Sequence, residues 1–370
     1  MKKMKSLRTS TRRKIIILSV LFVAFVLLQA FYDKLPHQQQ GWLVPICYNV
    51  ILAVSLNITV GILGELSLGH AGFMCVGAFT GAFIVKLFSV VSPDAGMWWV
   101  YIIAFAAAGI LAALFGILIG VPVLRLKGDY LAIVTLAFGE IIWNLLSVTR
   151  VSYDQGRLFF RLGGTEIEGL TPDAIKIIDG AQGITRGLRM DKSYSFIIAF
   201  FLMFFTVWLL LNFIHSRTGR MVKAIRDNRI AAESIGINIK RYKVIAIAVS
   251  AFFAGVAGVL YALNNGQAVA TQANYGYIMS INILVFVVLG GMGSTIGSVV
   301  AALLLTIIPD WLRFLNDYRM LIYALVLIGM MLFNSNPTLR GFVDRIKTSV
   351  KTFFASLFAG KKAEKKSEEA

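Results

Sequence analysis

Two carboxylates in this chain stand where carboxylates are costly. Glu140 lies in Ala137-Phe138-Gly139-Glu140-Ile141-Ile142, well inside an apolar stretch. An ionised acid at the centre of a membrane-spanning helix costs about 2.5–3.5 kcal/mol on insertion scales, taking Asp as the guide, unless it is paired or hydrated. Such a residue is a candidate for work on a solute, or else the partner of an arginine or a backbone amide. Thr135 and Asn144 are its polar neighbours, and Asn144, four residues on, shares its helical face. The second acid, Glu65, stands with Ser67 and His70 in Gly61-Ile62-Leu63-Gly64-Glu65-Leu66-Ser67-Leu68-Gly69-His70-Ala71-Gly72-Phe73, and further glycines follow at 77 and 81. Glycines let a backbone unwind and let helices approach closely, and the amides exposed at a new helix start can receive a carboxylate or phosphate. These residues predict a broken helix beside a solute pathway; a tight turn with a glycine packing face accounts for them equally well.

A third segment, residues 215–243, is polar. Met221, Ile225, Ala232 and Ile235 make an interrupted apolar stripe, Arg226, Asp227 and Arg229 are charged, and Gly219 and Gly236 bound the run. The pattern predicts one or two short helices ending at Gly236. It fits either a basic loop against anionic headgroups or a unit that docks into a protein groove, with Ala231 and Ala232 allowing close approach and Arg226 and Asp227 giving charged hydrogen bonds to the partner.

The elements that position these residues are set by composition. Of 370 residues, 58% are hydrophobic and 15% charged, with a mean hydropathy of +0.76; soluble domains average about 45–50% apolar and about 25% charged. The apolar residues fall in ten segments, near 15–32, 42–63, 67–91, 97–121, 129–149, 193–214, 243–263, 277–290, 294–309 and 318–334. Most are about 20 residues long, the length that crosses a bilayer. The expected fold is therefore all-α, a polytopic transmembrane bundle of about 10 membrane segments, some broken or re-entrant. Segments 277–290 and 294–309, separated by Gly290-Gly291-Met292-Gly293-Ser294, read as two thin spans or one re-entrant pair. Residues 15–32 resemble a signal peptide, with Leu28-Gln29-Ala30 as a weak cleavage tripeptide, but the apolar region is long and further spans follow, so an uncleaved first helix is expected.

The net charge of +17 follows topology rather than nucleic acid. Lysines and arginines cluster in 1–14, at Arg125 and Lys127, in 217–241 and in the Lys-rich tail 336–370, whereas the short loops 33–41, 92–96 and 310–317 hold Lys34 and Arg313 alone. With the N-terminus inside, ten crossings place the basic stretches on the cytoplasmic side, giving an N-in/C-in transmembrane domain over 15–335. The connection 150–192 would then be external; its runs Leu162-Gly163-Gly164-Thr165 and Gly180-Ala181-Gln182-Gly183-Ile184 predict turns with little regular structure. Residues 342–358 suit a membrane-surface segment. Cys47 and Cys75 lie in apolar stretches and read as packing residues; no metal-ligand spacing, catalytic triad or Gly-x-x-x-x-Gly-Lys-Ser/Thr phosphate loop is present.

Four stretches carry a resemblance: Gly64 to Phe73, Leu131-Ala132-Ile133-Val134-Thr135-Leu136-Ala137-Phe138-Gly139-Glu140, Arg217 to Asn238 running into Ser250 to Ala262, and Val288 to Gly297. In this order, over about residues 45–335, they resemble the permease subunit of branched-chain amino acid ABC importers of the LivM type. Ala231-Ala232-x-x-x-Gly236 is similar to the Glu-Ala-Ala-x-x-x-Gly loop through which importer permeases contact their ATPase, with Ile230 where that Glu would stand. The family's outer-loop Thr-Gly-Gly…Asn-Gly-Leu appears only as the loose Gly180 to Ile184, and 155–178 looks inserted.

The resemblance implies a subunit of a prokaryotic cell membrane without enzymatic activity or cofactor of its own. A homologous second permease, two cytoplasmic ATPases that use ATP and an external solute-binding protein would complete the importer; no nucleic acid is expected as a partner. Leucine, isoleucine and valine are the implied solutes, with urea or short amides as the alternative. An ion-coupled secondary carrier using Glu65 or Glu140 is the reading from another class.

Overall fold

The structure, a computed structural model, describes residues 37–91, 97–123, 129–154, 156–163, 174–185, 188 and 192–311, with Tyr318, Leu325 and Ile328 beyond. The chain divides into two compact units, Met1–Ile307 and Ile308–Ala370, and the described residues belong almost wholly to the first. The expected N-terminal span, the surface segment 342–358, the two tails and nearly all of the expected last span lie outside the described residues.

Apolar runs become helices because a chain out of water must satisfy its backbone groups internally. The helices are α1 (His37–Asn57), continued by a π-helical turn at Ile58–Leu63, α2 (His70–Val91), α3 (Met97–Val123), α4 (Asp129–Ser147) and α5 (Lys192–His215). After two short helices, α6 (Arg217–Asp227) and α7 (Arg229–Ser234), come α8 (Ile239–Asn265), α9 (Gln272–Tyr275), α10 (Tyr277–Gly290) and α11 (Thr295–Trp311). Among the described residues seven helices are long and apolar enough to cross a membrane, with Thr295–Pro309 a shorter apolar helix. Residues 277–290 are joined to α9 in one 19-residue candidate span, Gln272–Gly290.

Burial identifies the centre of the bundle. The apolar window of Gln40–Leu63 is 94% buried and that of Ile239–Asn265 is 67% buried, against 50% or less for the other five. α8 packs against α2, α3 and α1, and small residues make this possible. A Cβ at Gly258 would lie 2.0 Å from the Met74 carbonyl oxygen, and one at Gly77 would lie 2.2 Å from that of Gly255. Where lipid removes the hydrophobic drive between helices, such close backbone contact supplies the attraction.

One expectation is corrected. The connection after α4 is largely a three-stranded antiparallel sheet, in the order β2-β1-β3, built from β1 (Thr149–Asp154), β2 (Arg157–Leu162) and β3 (Ile175–Asp179). Two of the glycines that predicted irregular chain, Gly163 and Gly180, follow strands, and Gly156, at φ 81°, turns β1 into β2. Within the strands Val151, Tyr153, Phe159, Phe160, Ile177 and Ile178 supply β-branched and aromatic residues. A two-residue pairing of β4 (Ile184–Thr185) with β5 (Gln267–Ala268) ties this connection to the far end of α8. The chain is thus mainly helical, with small sheets outside the bundle.

Candidate functional site: a broken helix and the segment that grips it

The run Gly61–Phe73 does break a helix. Gly64, at φ 78°, ends the π-turn in a left-handed conformation that a side chain would strain, and regular helix resumes at His70. The amides of Gly64 and Glu65 both return to the Thr59 carbonyl, which leaves the Gly61 carbonyl to accept a hydrogen bond from Nη1 of Arg226 on α6. π-turns recur at functional sites because they free backbone groups in this way. Gly293 N–H donates to Asn57 Oδ1 at 2.9 Å, drawing the Gly291–Gly293 turn onto the same spot. Glu65 pairs with Lys243, at the start of α8. Lys243 is 6% exposed, and the second Glu65 oxygen, Oε2, is buried without a hydrogen-bond partner.

Three amides after the break are already paired within the chain. Leu68 N–H donates to Thr135 Oγ1 at 3.1 Å, Ala71 N–H to Ser280 Oγ at 3.1 Å, and Gly72 N–H to the Gly69 carbonyl at 3.1 Å. The chain caps its own helix. Ser67 is buried. His70 is 1% exposed, and its Nε2 lies 2.9 Å from Ser55 Oγ; Ser250 Oγ donates to the Ser55 carbonyl. This places His70 in a polar knot among α1, α2 and α8.

Gly69 and Gly72 press on α4: a Cβ at Gly69 would stand 2.2 Å from the Thr135 carbonyl oxygen, and one at Gly72 would stand 2.7 Å from Gly139 Cα. Gly69→Ala is therefore expected to destabilise the folded chain by about 1–3 kcal/mol through overpacking, read as a lower Tm in detergent; an unchanged Tm would mean that the α2–α4 contact is loose.

Glu140 is half-buried and accepts two hydrogen bonds, from Tyr277 N–H at 2.7 Å and from Trp143 Nε1–H at 2.7 Å. It thereby caps the start of α10, whose own N-cap, Gly276, has no side chain to offer. This is the backbone-amide partner the residue called for. Asn144 shares its face but donates to the Glu140 carbonyl, not to the carboxylate.

The polar segment folds as two helices, as its stripe predicts. Ser216 caps α6 by accepting from Gly219 N–H at 3.2 Å, Asn228 caps α7 by accepting from Ala231 N–H at 3.0 Å, and Gly236, at φ 85°, follows α7. Gly219 is buried where a Cβ would meet the Phe213 carbonyl at 2.3 Å. Two placements differ from expectation. Ala232 is 2% exposed and packs with Ile225, Ile237 and Ile239 in a small core, against Met221, Ala224 and Tyr242; it is an inside residue, not a docking surface. Arg226 donates to the Gly61 carbonyl of its own chain. Asp227 and Ala231 are exposed, and the large apolar groups facing out are Ile230, 81% exposed, and Ile235, 74% exposed.

The residues missed from sequence are Asn57, Lys243, Ser280 and Gly293. A polar Asn inside an apolar segment and a Lys at the edge of another were the available signals. A cavity of about 490 Å³ lies elsewhere, among α3, α5 and α8. No charged residue lines it, and Trp98, Ile102 and Phe201 in its lining are exposed, so it is an open apolar groove.

Comparison with known proteins agrees with this architecture. The family model described as "Branched-chain amino acid transport system / permease component" matches residues 40–333. The high-affinity branched-chain amino acid transport system permease protein LivM of Escherichia coli is 34% identical over 305 residues, covering 76% of this chain and 65% of that one. The fructose import permease protein FruG of Bifidobacterium longum is 26% identical over 70% of this chain and 71% of its own length, and LivH of Escherichia coli is 24% identical over 70% and 79%. The chain thus spans just under two thirds of the LivM it matches. With seven helices able to cross a bilayer and a family match that runs from α1 past α11, this chain is a multi-pass membrane protein that belongs to the branched-chain amino acid transport permease family.

Proposed function

We propose that the chain is the membrane-spanning permease subunit of an ABC importer in a prokaryotic inner membrane, carrying hydrophobic branched-chain amino acids delivered by an external binding protein. It pairs with a second, homologous permease; the similarity to both LivM and LivH supports a pair of related subunits. Two cytoplasmic ATPase subunits supply the energy, and this chain itself is a transport subunit without catalysis. The end carrying Arg217 to Arg241 faces the cytoplasm, in keeping with the positive-inside rule.

The observation that carries the reading is the α6–α7 unit. It is a short, capped, self-packed body held to the broken helix, and it presents Ile230 and Ile235 outward on an otherwise polar surface. A rigid unit with apolar anchors fits a groove on a partner. Ile235→Glu is expected to leave the chain folded and to abolish co-purification of the ATPase, because a charge placed in an apolar interface lacks a partner there. Unaltered co-purification would place the docking surface elsewhere.

The function itself is tested by ATP-driven uptake in vesicles holding the complete complex, with labelled leucine competed by unlabelled leucine, isoleucine, valine, urea, acetamide and fructose. Competition by leucine, isoleucine and valine alone is the expected result. Uptake driven by an ion gradient without nucleotide would identify a secondary carrier instead.

A further inference from the structure

Two cations from one end of the docking segment close on one short stretch of the broken helix. Arg226 comes from the last turn of α6, and Lys243 from the first turns of α8; the docking helix α7, with Ile230 and Ile235 at its margins, lies between them in sequence. Arg226 binds the Gly61 carbonyl, and Lys243 binds Glu65. Arg226 is an exposed residue whose side chain passes beside two glycines. A Cβ at Gly64 would stand 2.9 Å from its Cγ, and one at Gly293 would stand 3.1 Å from its Nη1. The arginine is threaded between the break and the Gly291–Gly293 turn, which Asn57 fastens to the same π-turn.

We propose that Arg226 and Lys243 form a two-point clamp through which displacement of the α6–α7 docking unit moves the Gly61–Glu65 break, and with it the turn joining α10 to α11. The proposal rests on the importer reading above and adds to it the residues and bonds through which motion passes inside this chain. Its physical basis is the nature of the two grips. A guanidinium on a freed carbonyl and an ammonium on a carboxylate are charge-assisted hydrogen bonds, stronger and more directional than the apolar contacts around them. They hold backbone and side chain of a segment where the helical hydrogen-bond ladder ends, in a π-turn closed by a left-handed glycine. A rigid helix would resist being drawn by its end; a π-turn closed by a left-handed glycine yields at one point. Arg226 and Lys243 are positioning residues and touch no solute.

The test uses the full chain assembled with its partner permease and ATPase subunits, with radiolabelled leucine as the probe. Three variants are compared with the unaltered chain: Arg226→Gln; Arg226→Lys, which keeps one donor; and the double variant Glu65→Gln with Lys243→Gln, which leaves no lone buried charge. Arg226→Gln and the double variant are expected to retain the ATPase and its hydrolysis while leucine moved per ATP falls about tenfold, the scale of one charge-assisted hydrogen bond lost. Arg226→Lys should keep most of the ratio. In the isolated full chain, amide hydrogens of residues 64–69 should exchange faster in both uncoupled variants, a readout that the solute and ATPase do not enter. An unchanged ratio overturns the clamp, as does loss of ATPase binding in Arg226→Gln, which would make the arginine a docking residue. If the unaltered chain shows no ATP-driven leucine uptake, the importer reading fails separately. Hydrogen exchange then decides the clamp alone, and unchanged protection at 64–69 rejects it.

Discussion

Replacing Lys243 with Met should lower the stability of this chain by about 3–5 kcal/mol, the penalty for leaving one member of a buried ion pair without the other. Lys243 is 6% exposed, and its partner Glu65 already has Oε2 buried with no hydrogen-bond donor. Removing the ammonium strips the carboxylate of its ion-pair partner beside an apolar bundle. Methionine matches the length of the lysine stem, so the loss is electrostatic rather than a packing defect. The sign can be checked by removing the other charge as well: Lys243→Met combined with Glu65→Gln should recover most of the loss, because two neutral groups in the same space need no pairing. Thermal unfolding in detergent reads both. A single variant with the Tm of the unaltered chain, or a double variant no better than the single, would show that the pair is hydrated in the protein and contributes little.

Helix positions were legible where they depend on local composition. The apolar runs expected at 97–121 and 193–214 are α3, Met97–Val123, and α5, Lys192–His215, because the need to satisfy backbone groups acts on each run separately. The break at Gly64 was legible for a similar reason: a left-handed residue after an apolar run is a property of one glycine. Partners were not legible. Glu140 finds Tyr277 N–H at a sequence separation of 137, and Arg226 finds Gly61 at 165, and nothing in either local stretch names its mate. Sequence could say that Glu140 needed a donor, and it could offer Asn144 on the same face; the tertiary fold offered a bare helix start instead. The sheet after α4 was hidden by its own turns, since the runs at Gly163-Gly164 and Gly180 to Gly183 drew the reading while the pairing of β1 with β3 depends on a return from beyond residue 173. The neighbour of His70 was hidden in the same way: its Nε2 lies 2.9 Å from Ser55 Oγ on α1, and Ser55 is itself bonded to Leu52 and Ser250.

Ala232 shows how the same small residue supports opposite readings, and Ala232→Glu separates them. An alanine on a short amphipathic helix can serve close approach to a partner or close packing at home. The turn at Asn228, with φ −155° and ψ 107°, decides between these. It folds α7 back so that Ala232 meets Ile225, Ile237 and Ile239, while Ile237 N–H donates to the Ala232 carbonyl at 3.1 Å. Glutamate there has no room for its stem and no cation in that core for its charge. The expected cost is again about 3–5 kcal/mol if the carboxylate stays buried. A unit of this size escapes that cost by opening locally, since such segments unfold without the rest of the protein. Ala232→Glu should therefore make the bonds between 215 and 242 sensitive to limited proteolysis while the bundle keeps its Tm, and ATPase co-purification should disappear as a consequence. Ile235→Glu, on the exposed side of the same unit, should lose the ATPase with the segment still protected. If Ala232→Glu loses the ATPase and the segment remains resistant to protease, then Ala232 faces the partner after all, and the small core around it forms only when the chain stands alone.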